Sequence, residues 1–348
     1  METEKAINFI ESSFIAPLLA KPDITDISYN GEKIFYLSNI YGRQCAKIDI
    51  SNDQVRVFLR QIANIAEKQF SYQTPYLDVS LGKYRINAVH QSIARKNNTE
   101  ALSFSIRIGG PKGLINDQSS FLNKELITLF ECLIDEGMSI AIGGITGCGK
   151  TEFQKYLVSK MKENTRIIVI DNVLELSNIT NSEKLDINTW QVDEKNHEST
   201  IQKLVRNGLR SNPDWIIVAE SRGEEMLEIL NSAMTGHPII TTIHATQVES
   251  MPSRIGRMIM MNDKKMDYEN VMEDVRFHFH FYVYLKRKIN RSGEVIRYIS
   301  DVTYIDNSGK ITYLYKNNLK TIKTNPFPKE ILNLFDERNV KRLEDLFI

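Results

Sequence analysis

The sequence predicts an α/β fold in which a large domain built on a parallel sheet follows a smaller α+β domain. Three observations lead to this prediction. A glycine-rich loop lies between a short apolar run and a segment whose apolar residues recur at helical spacing. After residue 118, short apolar runs alternate with helical segments, as in a parallel sheet covered by helices. Before residue 109, strand-like runs surround one amphipathic helix instead.

Length and composition agree with two domains that each bury a core. The chain has 348 residues, of which 42% are hydrophobic and 25% charged. The predicted boundaries are an N-terminal domain over 1–108, a linker over 109–118 and a second domain over 119–348. Because the formal net charge is +0, nothing in the charge balance suggests a general nucleic-acid binder or a basic membrane-binding surface.

The cysteines and the apolar runs indicate a cytoplasmic protein. Cys45, Cys132 and Cys148 are far apart and form no C-x-x-C pair, so neither a disulfide framework nor a zinc site is expected. No apolar run approaches the roughly 18 residues that span a bilayer. The first residues are acidic where a signal peptide is basic, and they predict an amphipathic helix.

The N-terminal domain contains strand candidates and one long helix. The turn dipeptide Asn30-Gly31 separates two of the candidates, and apolar residues from Val55 to Ala66 recur at helical spacing. The predicted strands are Asp26–Tyr29, Ile34–Leu37, Tyr84–Val89 and Leu102–Ile108. The breaker cluster from Gly109 to Gly113 then predicts a hinge between domains, with an ordinary surface loop as the alternative.

The second domain begins with buried strands and ends in hairpins. Its predicted parallel strands are Ile140–Ile142, Arg166–Ile170, Trp215–Val218 and Ile239–Ile243. Antiparallel strands are predicted at Phe277–Leu285, Glu294–Ile305 and Ile311–Tyr315, followed by a helical tail from Lys329 to Phe347.

The glycine-rich loop has the residue types needed to bind the phosphates of a nucleotide. It fits G-x-x-x-x-G-K-[ST], and its glycines let consecutive N–H groups point into one anion-binding nest at a helix start. Lys150 would place a charge on the β and γ phosphates, and the Thr151 hydroxyl would ligate Mg²⁺. The alternative is a loop that binds nothing. The predicted nucleotide-binding residues are Gly144, Ile145, Thr146, Gly147, Cys148, Gly149, Lys150, Thr151 and Glu152.

Acidic residues follow two of the predicted parallel strands. Glu220 ends the run that begins at Trp215, so it lies at the carboxyl edge of the sheet, where phosphates bind in open α/β sheets. Glu220 is therefore the leading candidate to orient the attacking water or act as base. Asp171 occupies the same place on another strand, with Glu175 slightly further on. A strand-end acid such as Asp171 can also be only a cap for the next helix.

Histidines flank a third apolar run, with His237 before it and His244 after it. An imidazole can donate or accept a hydrogen bond, so the two rings could report the phosphate state of a nucleotide. The alternative is that each is a satisfied core or turn residue. His244, at the carboxyl end of the strand, is the better placed.

Four motifs together resemble those of the secretion ATPases of type II and type IV secretion, pilus assembly and conjugation. They occur in the order of that family. They are a Walker A loop at Gly144 to Thr151, an aspartate box at Ile170 to Leu176, a Walker B segment at Asn212 to Glu224 and a histidine box at Thr235 to Ala245. The first domain is similar more loosely, through its opening strand and two arginine-containing strands.

The resemblance implies a RecA-like three-layer αβα P-loop ATPase domain, preceded by a smaller α+β, PAS-like domain and ending in β-hairpins and a helix. The family's arginines reach the nucleotide across a cleft, a role that the resemblance assigns to Arg85 and Arg107. The alternative, from the sequence alone, is that both are solvated strand residues. The remaining catalytic candidates are Lys150, Glu220, Asp171, Glu175, His244 and Arg222, and the predicted Mg²⁺ ligands are Thr151, Glu220 and Asp171.

The resemblance also implies cofactors and partners. We expect ATP and Mg²⁺, a homo-hexameric ring, and inner-membrane components of a secretion, conjugation or pilus machine as partners at the cytoplasmic face of the membrane. Zinc and direct nucleic-acid binding are not expected. The motifs leave open which substrate moves and whether the ring drives assembly or retraction.

The chain departs from the family pattern at three places. Its aspartate box has Asp171 and Asn172 where Glu and Asp are common, which removes one charge. Ala219 and Ser221 replace the usual neighbours of the Walker B glutamate. The paired-cysteine motif of the type II branch is absent, which favours the shorter branch of type IV secretion, conjugation and Tad-type pili.

Three other functions fit part of the pattern. A small-molecule P-loop kinase would need an acceptor pocket and an arginine-rich lid, and would lack the aspartate and histidine boxes. A RecA-class nucleic-acid motor could line a ring pore with Lys264 and Lys265. A regulatory ring subunit with weak ATPase activity is supported only by the altered aspartate box.

Overall fold

The computed structural model describes residues 2–109, 114–172, 174–177, 179–193, 196–262 and 265–345. It divides into one unit of Met1–Pro111 with Lys288–Ile296, and a second unit of Lys112–Arg287 with Arg297–Ile348. Residues 110–113 of the expected hinge, Val173 of the aspartate box, Lys264 and Phe347 lie outside the described residues. The sequence analysis places the whole C-terminal hairpin region in the second domain, whereas residues 288–296 group with the first unit.

The first unit is an antiparallel sheet covered by helices. Its helices are α1 Glu2–Glu11, α2 Ala16–Leu19 and α3 Asn52–Ile65. Its strands are β1 Ile24–Tyr29, β2 Ile34–Ser38, β3 Gly42–Cys45, β4 Tyr76–Leu81, β5 Tyr84–Val89, β6 Arg95–Lys96, β7 Thr99–Glu100 and β8 Ser103–Ile108. In the described part of the chain the sheet order is β3-β2-β1-β8-β5-β4, with β6 and β7 paired separately.

The helix α3 forms where the apolar spacing predicts it and adds a first turn. The Ser51 hydroxyl accepts the Gln54 N–H, and the Gln54 side chain accepts the Ser51 N–H, which completes a capping box. The apolar side of the helix, which includes Phe58 and Leu59, is buried against the sheet in one core. All four predicted strands of this unit are confirmed as β1, β2, β5 and β8.

The second unit is a mixed sheet between two layers of helices. Its helices are α4 Lys124–Asp135, α5 Lys150–Ser159, α6 Ile201–Gly208, α7 Met226–Met234, α8 Met251–Ile259, α9 Tyr268–His278, α10 Lys329–Leu332 and α11 Glu337–Glu344. Its strands are β9 Ile140–Gly144, β10 Arg166–Asp171, β11 Asp186–Gln191, β12 Trp215–Ser221, β13 Ile239–Ile243, β14 Phe281–Ile289, β15 Val295–Ile305, β16 Ile311–Asn317 and β17 Ile322–Thr324.

The sheet order brings the functional strands to its centre. The order over the described residues is β11-β10-β12-β13-β9-β14-β15-β16-β17. Pairing is parallel from β11 through β14, and antiparallel from β15 to β17. Alternate residues of β10 enter different cores, with Ile167 and Val169 on one side and Ile168 and Ile170 on the other. The predicted αβα layering and the four parallel strands are therefore confirmed.

The sequence prediction is wrong at the start of β14. It extends that strand back to Phe277, but residues 277 and 278 end helix α9, which Asp267 caps at its start by accepting the Asn270 N–H. The strand begins at Phe281 and pairs parallel to β9. The helical spacing of Val271 and Val275, both buried, fixes the helix.

The predicted single helical tail is also wrong, since two helices occupy it. Asp336 accepts the Asn339 N–H and so starts α11 separately from α10. The second helix is held to α4 by Arg342, whose guanidinium is 2.6 Å from Glu131. No helix in the described ranges has the length and apolar character needed to cross a bilayer.

Replacing Leu59 by alanine is expected to destabilise the first unit. Leu59 is 0% exposed, and removing such a buried side chain typically costs about 2–5 kcal/mol because a cavity remains. The matched control is Val57→Ala on the same helix, where the side chain is 56% exposed and the cost should stay within about 0.5 kcal/mol. Urea unfolding monitored in the first unit measures both. Equal destabilisation by the two variants would contradict the burial assigned to this helix.

Candidate functional site

The glycine-rich loop leaves β9 with a backbone that only glycine adopts easily. Gly144, Gly147 and Gly149 have φ of +150°, +75° and +103°. A Cβ atom on Gly144 would stand 2.6 Å from the Cys148 Sγ and 2.6 Å from the Leu285 carbonyl oxygen. The loop therefore closes tightly and starts helix α5 at once.

Lys150 begins α5 and points its ammonium group back at the loop. It is 9% exposed, and its Nζ donates to the carbonyl of Gly144 at 2.9 Å and that of Ile145 at 3.3 Å. Thr151 follows in the first helical turn, half-buried. The first N–H groups and the positive dipole end of α5 thus lie beside one ammonium group, an arrangement that favours a bound phosphate.

The next residue of α5, Glu152, has protein partners. Its Oε1 is 2.8 Å from the Nζ of Lys155, which is buried, and its Oε2 accepts the Leu114 N–H at 3.3 Å. Its contact with a nucleotide stays a prediction. Two further residues on this side of the helix, Tyr156 and Lys160, donate to the Asp117 carboxylate at 2.9 and 2.5 Å. Residues 114 and 117 of the predicted linker are therefore bonded along this side of α5 and to its C-cap.

A register shift redirects the chain just before Glu220. The shift in the β12–β13 pairing falls between Val218 and Ser221. The Thr242 hydroxyl donates to the Ala219 carbonyl at 2.7 Å, and the Ser221 hydroxyl lies 2.8 Å from that of the preceding threonine on β13. Bulges of this kind reorient side chains next to active sites. The threonines of the histidine box therefore hold the strand end that carries Glu220.

Glu220, Arg222 and His244 form one cluster at the carboxyl edge of the sheet. One carboxylate oxygen of Glu220, Oε2, is 2.7 Å from the Arg222 guanidinium. The other, Oε1, is buried and accepts no hydrogen bond from the described residues, although the His244 Nε2 is 2.9 Å away. The His244 ring is therefore within ion-pair distance of Oε1, and this contact contributes to the electrostatics of the cluster.

The charges of this cluster set the protonation of both titrating groups. Burial alone would raise the pKa of Glu220, but the Arg222 hydrogen bond and the charges of Arg222, His244 and Lys150 lower it overall. Burial lowers the pKa of His244, as do the charges of Lys150 and Arg222, against the opposing charge of Glu220. At neutral pH the cluster thus contains a carboxylate beside a neutral imidazole, and the carboxylate can accept a proton or orient water.

Asp171 has the contacts of a cap. It is 0% exposed, and its Oδ2 accepts the Leu176 N–H at 2.8 Å at the turn Glu175–Ser177. Glu175 lies in that turn, half-buried. This contact is the one expected of a strand-end acid that caps the following helical turn. Catalytic and metal-binding roles for Asp171 and Glu175 stay predictions.

His237 lies at the other end of β13 from His244. Its Nδ1 is 3.0 Å from the Thr235 hydroxyl, and it lines a cavity of about 180 Å³ with His278 and His280. The two histidines of the box are thus at opposite edges of the sheet. Of the pair, His244 is the one near Glu220.

Arg85 and Arg107 lie directly opposite each other on β5 and β8 of the first unit. Both are exposed, and an Arg85 nitrogen is 3.6 Å from the Asp78 carboxylate. Their contact with a nucleotide stays a prediction.

Two arginines that the sequence analysis did not identify lie beside the loop. The Arg297 Nε donates to the Gly147 carbonyl at 2.8 Å. A Cβ on Gly147 would stand 3.0 Å from an Arg287 guanidinium nitrogen. They lie on β14 and β15, outside the four motifs. The basic run Lys286 to Lys288 is the sequence feature that could have indicated Arg287.

The donors at the loop fit a nucleotide with a magnesium ion. Left-handed glycines, a lysine and a threonine hydroxyl are present at a helix start. Among the described residues, no group of three or more His, Cys, Asp or Glu is arranged to hold a metal. The Thr151 hydroxyl is an oxygen ligand that could bind Mg²⁺ together with nucleotide phosphates.

This fold is of the three-layer α/β class, with a glycine-rich loop at the carboxyl edge of its parallel strands. Residues 111–276 match the family of the Type II/IV secretion system protein. The fold is similar to that in the X-ray structure of the Legionella pneumophila ATPase DotB, with a TM-score of 0.64 at 18% identity, covering 96% of this chain and 86% of DotB.

Two relatives extend the comparison at the level of sequence. An uncharacterized protein of Bacillus anthracis is 27% identical over 325 residues, which cover 89% of this chain and 72% of that protein. The type IV secretion system protein VirB11 of Brucella suis is 32% identical over 180 residues, 49% of this chain and 48% of VirB11. Residues 111–276 are thus similar to the type II and type IV secretion system proteins, the group that the four motifs resemble.

Charge removal in the cluster is expected to move the pKa of His244 in opposite directions. The Glu220→Gln variant should lower it further, because the Glu220 charge raises it, and Arg222→Gln should raise it. NMR titration of the histidine ring protons measures both. His90, whose pKa is lowered by burial and by Arg60 and Arg56, is the internal control and should not move. A His244 pKa that is unchanged in both variants would contradict the cluster.

Proposed function

We propose that the chain hydrolyses ATP with Mg²⁺ as a hexameric ring motor that powers type IV secretion, conjugative transfer or pilus assembly. One observation carries this proposal: Lys150, Glu220, Arg222 and His244 lie at one sheet edge. There the charges of Lys150 and Arg222 lower the pKa of both Glu220 and His244. The similarity to VirB11, a type IV secretion system protein, supports the process. The lack of the paired-cysteine motif favours the shorter branch of the superfamily.

The residues of the site suggest how hydrolysis proceeds. Loop N–H groups and the Lys150 ammonium bind the β and γ phosphates, and Lys150 exchanges its carbonyl partners for phosphate oxygens. The Glu220 carboxylate orients water for in-line attack, and its Oε1, which accepts no hydrogen bond from the described residues, suits that role. Mg²⁺, with Thr151 and the acids Glu220 and Asp171 as proposed donors, would neutralise charge on the phosphates.

Neutral His244 and charged Arg222 have separate proposed roles. Because the His244 pKa is lowered, its ring can accept or donate one hydrogen bond as phosphates change. Arg222 keeps Glu220 ionised. Arg85 and Arg107 are proposed to reach the phosphates when ATP binds, and such arginines can contribute about 10³ to 10⁵ in rate. An isolated subunit would then be a poor enzyme.

The proposed place of action is the cytoplasmic face of the inner membrane. The partners would be inner-membrane components of the secretion, conjugation or pilus machine. Whether the ring moves a pilin, an effector or a protein–DNA complex depends on those partners.

Lys150→Ala and Glu220→Gln test the catalytic assignment. Lys150→Ala should weaken ATP binding and lower kcat by about 10²–10³, the range for loss of an electrostatic group at a transition state. Glu220→Gln should bind ATP and lower kcat by about 10²–10⁴, the range for loss of a positioned base. Lys162→Ala, a lysine with 73% exposure, is the control and should behave as wild type. Wild-type turnover by Lys150→Ala would refute the assignment; wild-type turnover by Glu220→Gln alone would make Asp171 or Glu175 the better acid.

Assembly and DNA dependence separate the motor from its alternatives. Light scattering with ATP and Mg²⁺ should give the mass of six 40.1 kDa chains, and specific activity should rise with protein concentration. Added DNA at low salt should not stimulate hydrolysis. A stimulated rate would favour a RecA-class nucleic-acid motor, and a ring without turnover would favour a regulatory subunit.

A further inference from the structure

Arg287 and Arg297 flank the phosphate loop from strands that contain none of the nucleotide-binding motifs. Arg287 lies near the end of β14 and Arg297 near the start of β15, and both are half-buried. Parallel pairing of β14 with β9 sets Leu285 opposite Gly144, so the chain two residues later lies alongside the loop. The backbone positions of both arginines next to the loop therefore follow from the pairing of the sheet.

Arg297 is bonded to the most exposed part of the loop. Residues 145–147 are all exposed, so few packing contacts restrain them. Gly147 is also in the left-handed region, which broadens the conformations open to this segment. The hydrogen bond from the Arg297 Nε to the Gly147 carbonyl, at 2.8 Å, fixes the segment from one side. Its effect on a ligand would be exerted through the backbone of the loop.

Arg287 brings a charge to the same glycine. Its guanidinium nitrogen is 3.0 Å from the position of a Cβ on Gly147. No carboxylate of the described residues lies within ion-pair distance of Arg287. Burial lowers the pKa of Arg297, and the Arg287 charge lowers it further, so the two guanidinium groups repel each other. Lys150, Arg287 and Arg297 thus bring three positive charges to the loop, and a bound anion would reduce the repulsion among them.

We propose that Arg287 binds the phosphates of a nucleoside di- or triphosphate held by the loop, and that Arg297 positions the loop through the Gly147 carbonyl. The planar guanidinium fork of Arg287 matches phosphate oxygens in a way that lysine does not. This inference rests on the proposed function, because it adds residues to the same nucleotide site. It gives the C-terminal hairpin a part in nucleotide binding.

The phosphate-binding role is tested with Arg287→Gln against Arg291→Gln. Both remove one arginine charge from the same hairpin, but Arg291 is exposed at its turn. Equilibrium binding of fluorescent ADP and ATP, with Mg²⁺, should weaken about 10- to 100-fold for Arg287→Gln, the range for losing a hydrogen bond to a charged group. The salt dependence of affinity should become shallower. Arg291→Gln should match wild type, and equal affinities for the two variants would overturn the role of Arg287.

The positioning role is tested by the reactivity of a thiol inside the loop. Cys148 and Cys132 are both 0% exposed, and Cys45 is exposed. In Arg297→Gln and Arg297→Lys, the loop should open more often, so alkylation of Cys148, followed by mass spectrometry of its peptide, should accelerate relative to Cys45. Cys132 labelling should not change, which separates loop opening from general unfolding. Unchanged Cys148 labelling, or parallel acceleration at Cys132, would overturn the positioning role.

Lys150→Ala distinguishes failure of this inference from failure of the proposed function. If wild-type protein binds ADP and ATP and Lys150→Ala does not, the nucleotide site stands. Wild-type affinity in Arg287→Gln then overturns the inference alone. If wild-type protein binds neither nucleotide, both fail.

Discussion

The parallel pairing of β9 with β13 and β14 is the constraint on which the rest of the site depends. It fixes the end of β9 at the edge where β12 and β13 also end, so the loop that begins at Gly144 and the Glu220 carboxylate lie at the same edge of the sheet. Gln154, fully buried on α5, strengthens this alignment because its amide donates to carbonyls of both β12 and β13, at 3.0 and 3.1 Å. The helix that begins with Lys150 is therefore tied directly to the strands that carry the acid and the histidine.

The sequence predicts the centre of this arrangement well, because its signals are local. Apolar runs mark the buried strands, and Glu220 is found by its place at the end of one of them. Edge strands have weaker sequence signals. The four inner residues of β11 are all half-buried, so the strand lacks the alternation of buried and exposed residues that would identify it. The start of β14 is misplaced because Phe277 has strand propensity, while the buried Val271 and Val275 keep the chain helical through His278.

The proximity of Arg287 and Arg297 to the loop is not predicted from the sequence, for a different reason. Their proximity to the loop depends on the register of β14 against β9 and on the order of the strands beyond it, and neither can be read from local spacing. Asp171 shows the opposite difficulty, since its position at a strand end is predicted but its contacts are not. The Asp171 carboxylate is fully buried and accepts the backbone N–H of Leu176 in the turn that follows the strand. The position of a residue at a strand end therefore does not by itself predict its hydrogen bonds.

The bonds between α5 and residues 114–117 of the predicted linker place that stretch of chain along the helix of the phosphate loop. An α-helix rises about 1.5 Å per residue, so the ten residues of α5 extend over about 15 Å. Lys150 begins this helix, and Lys160, just beyond its last residue, donates to Asp117. The helix therefore connects the phosphate loop at one end with the predicted linker at the other, so the two are coupled through one continuous element of structure.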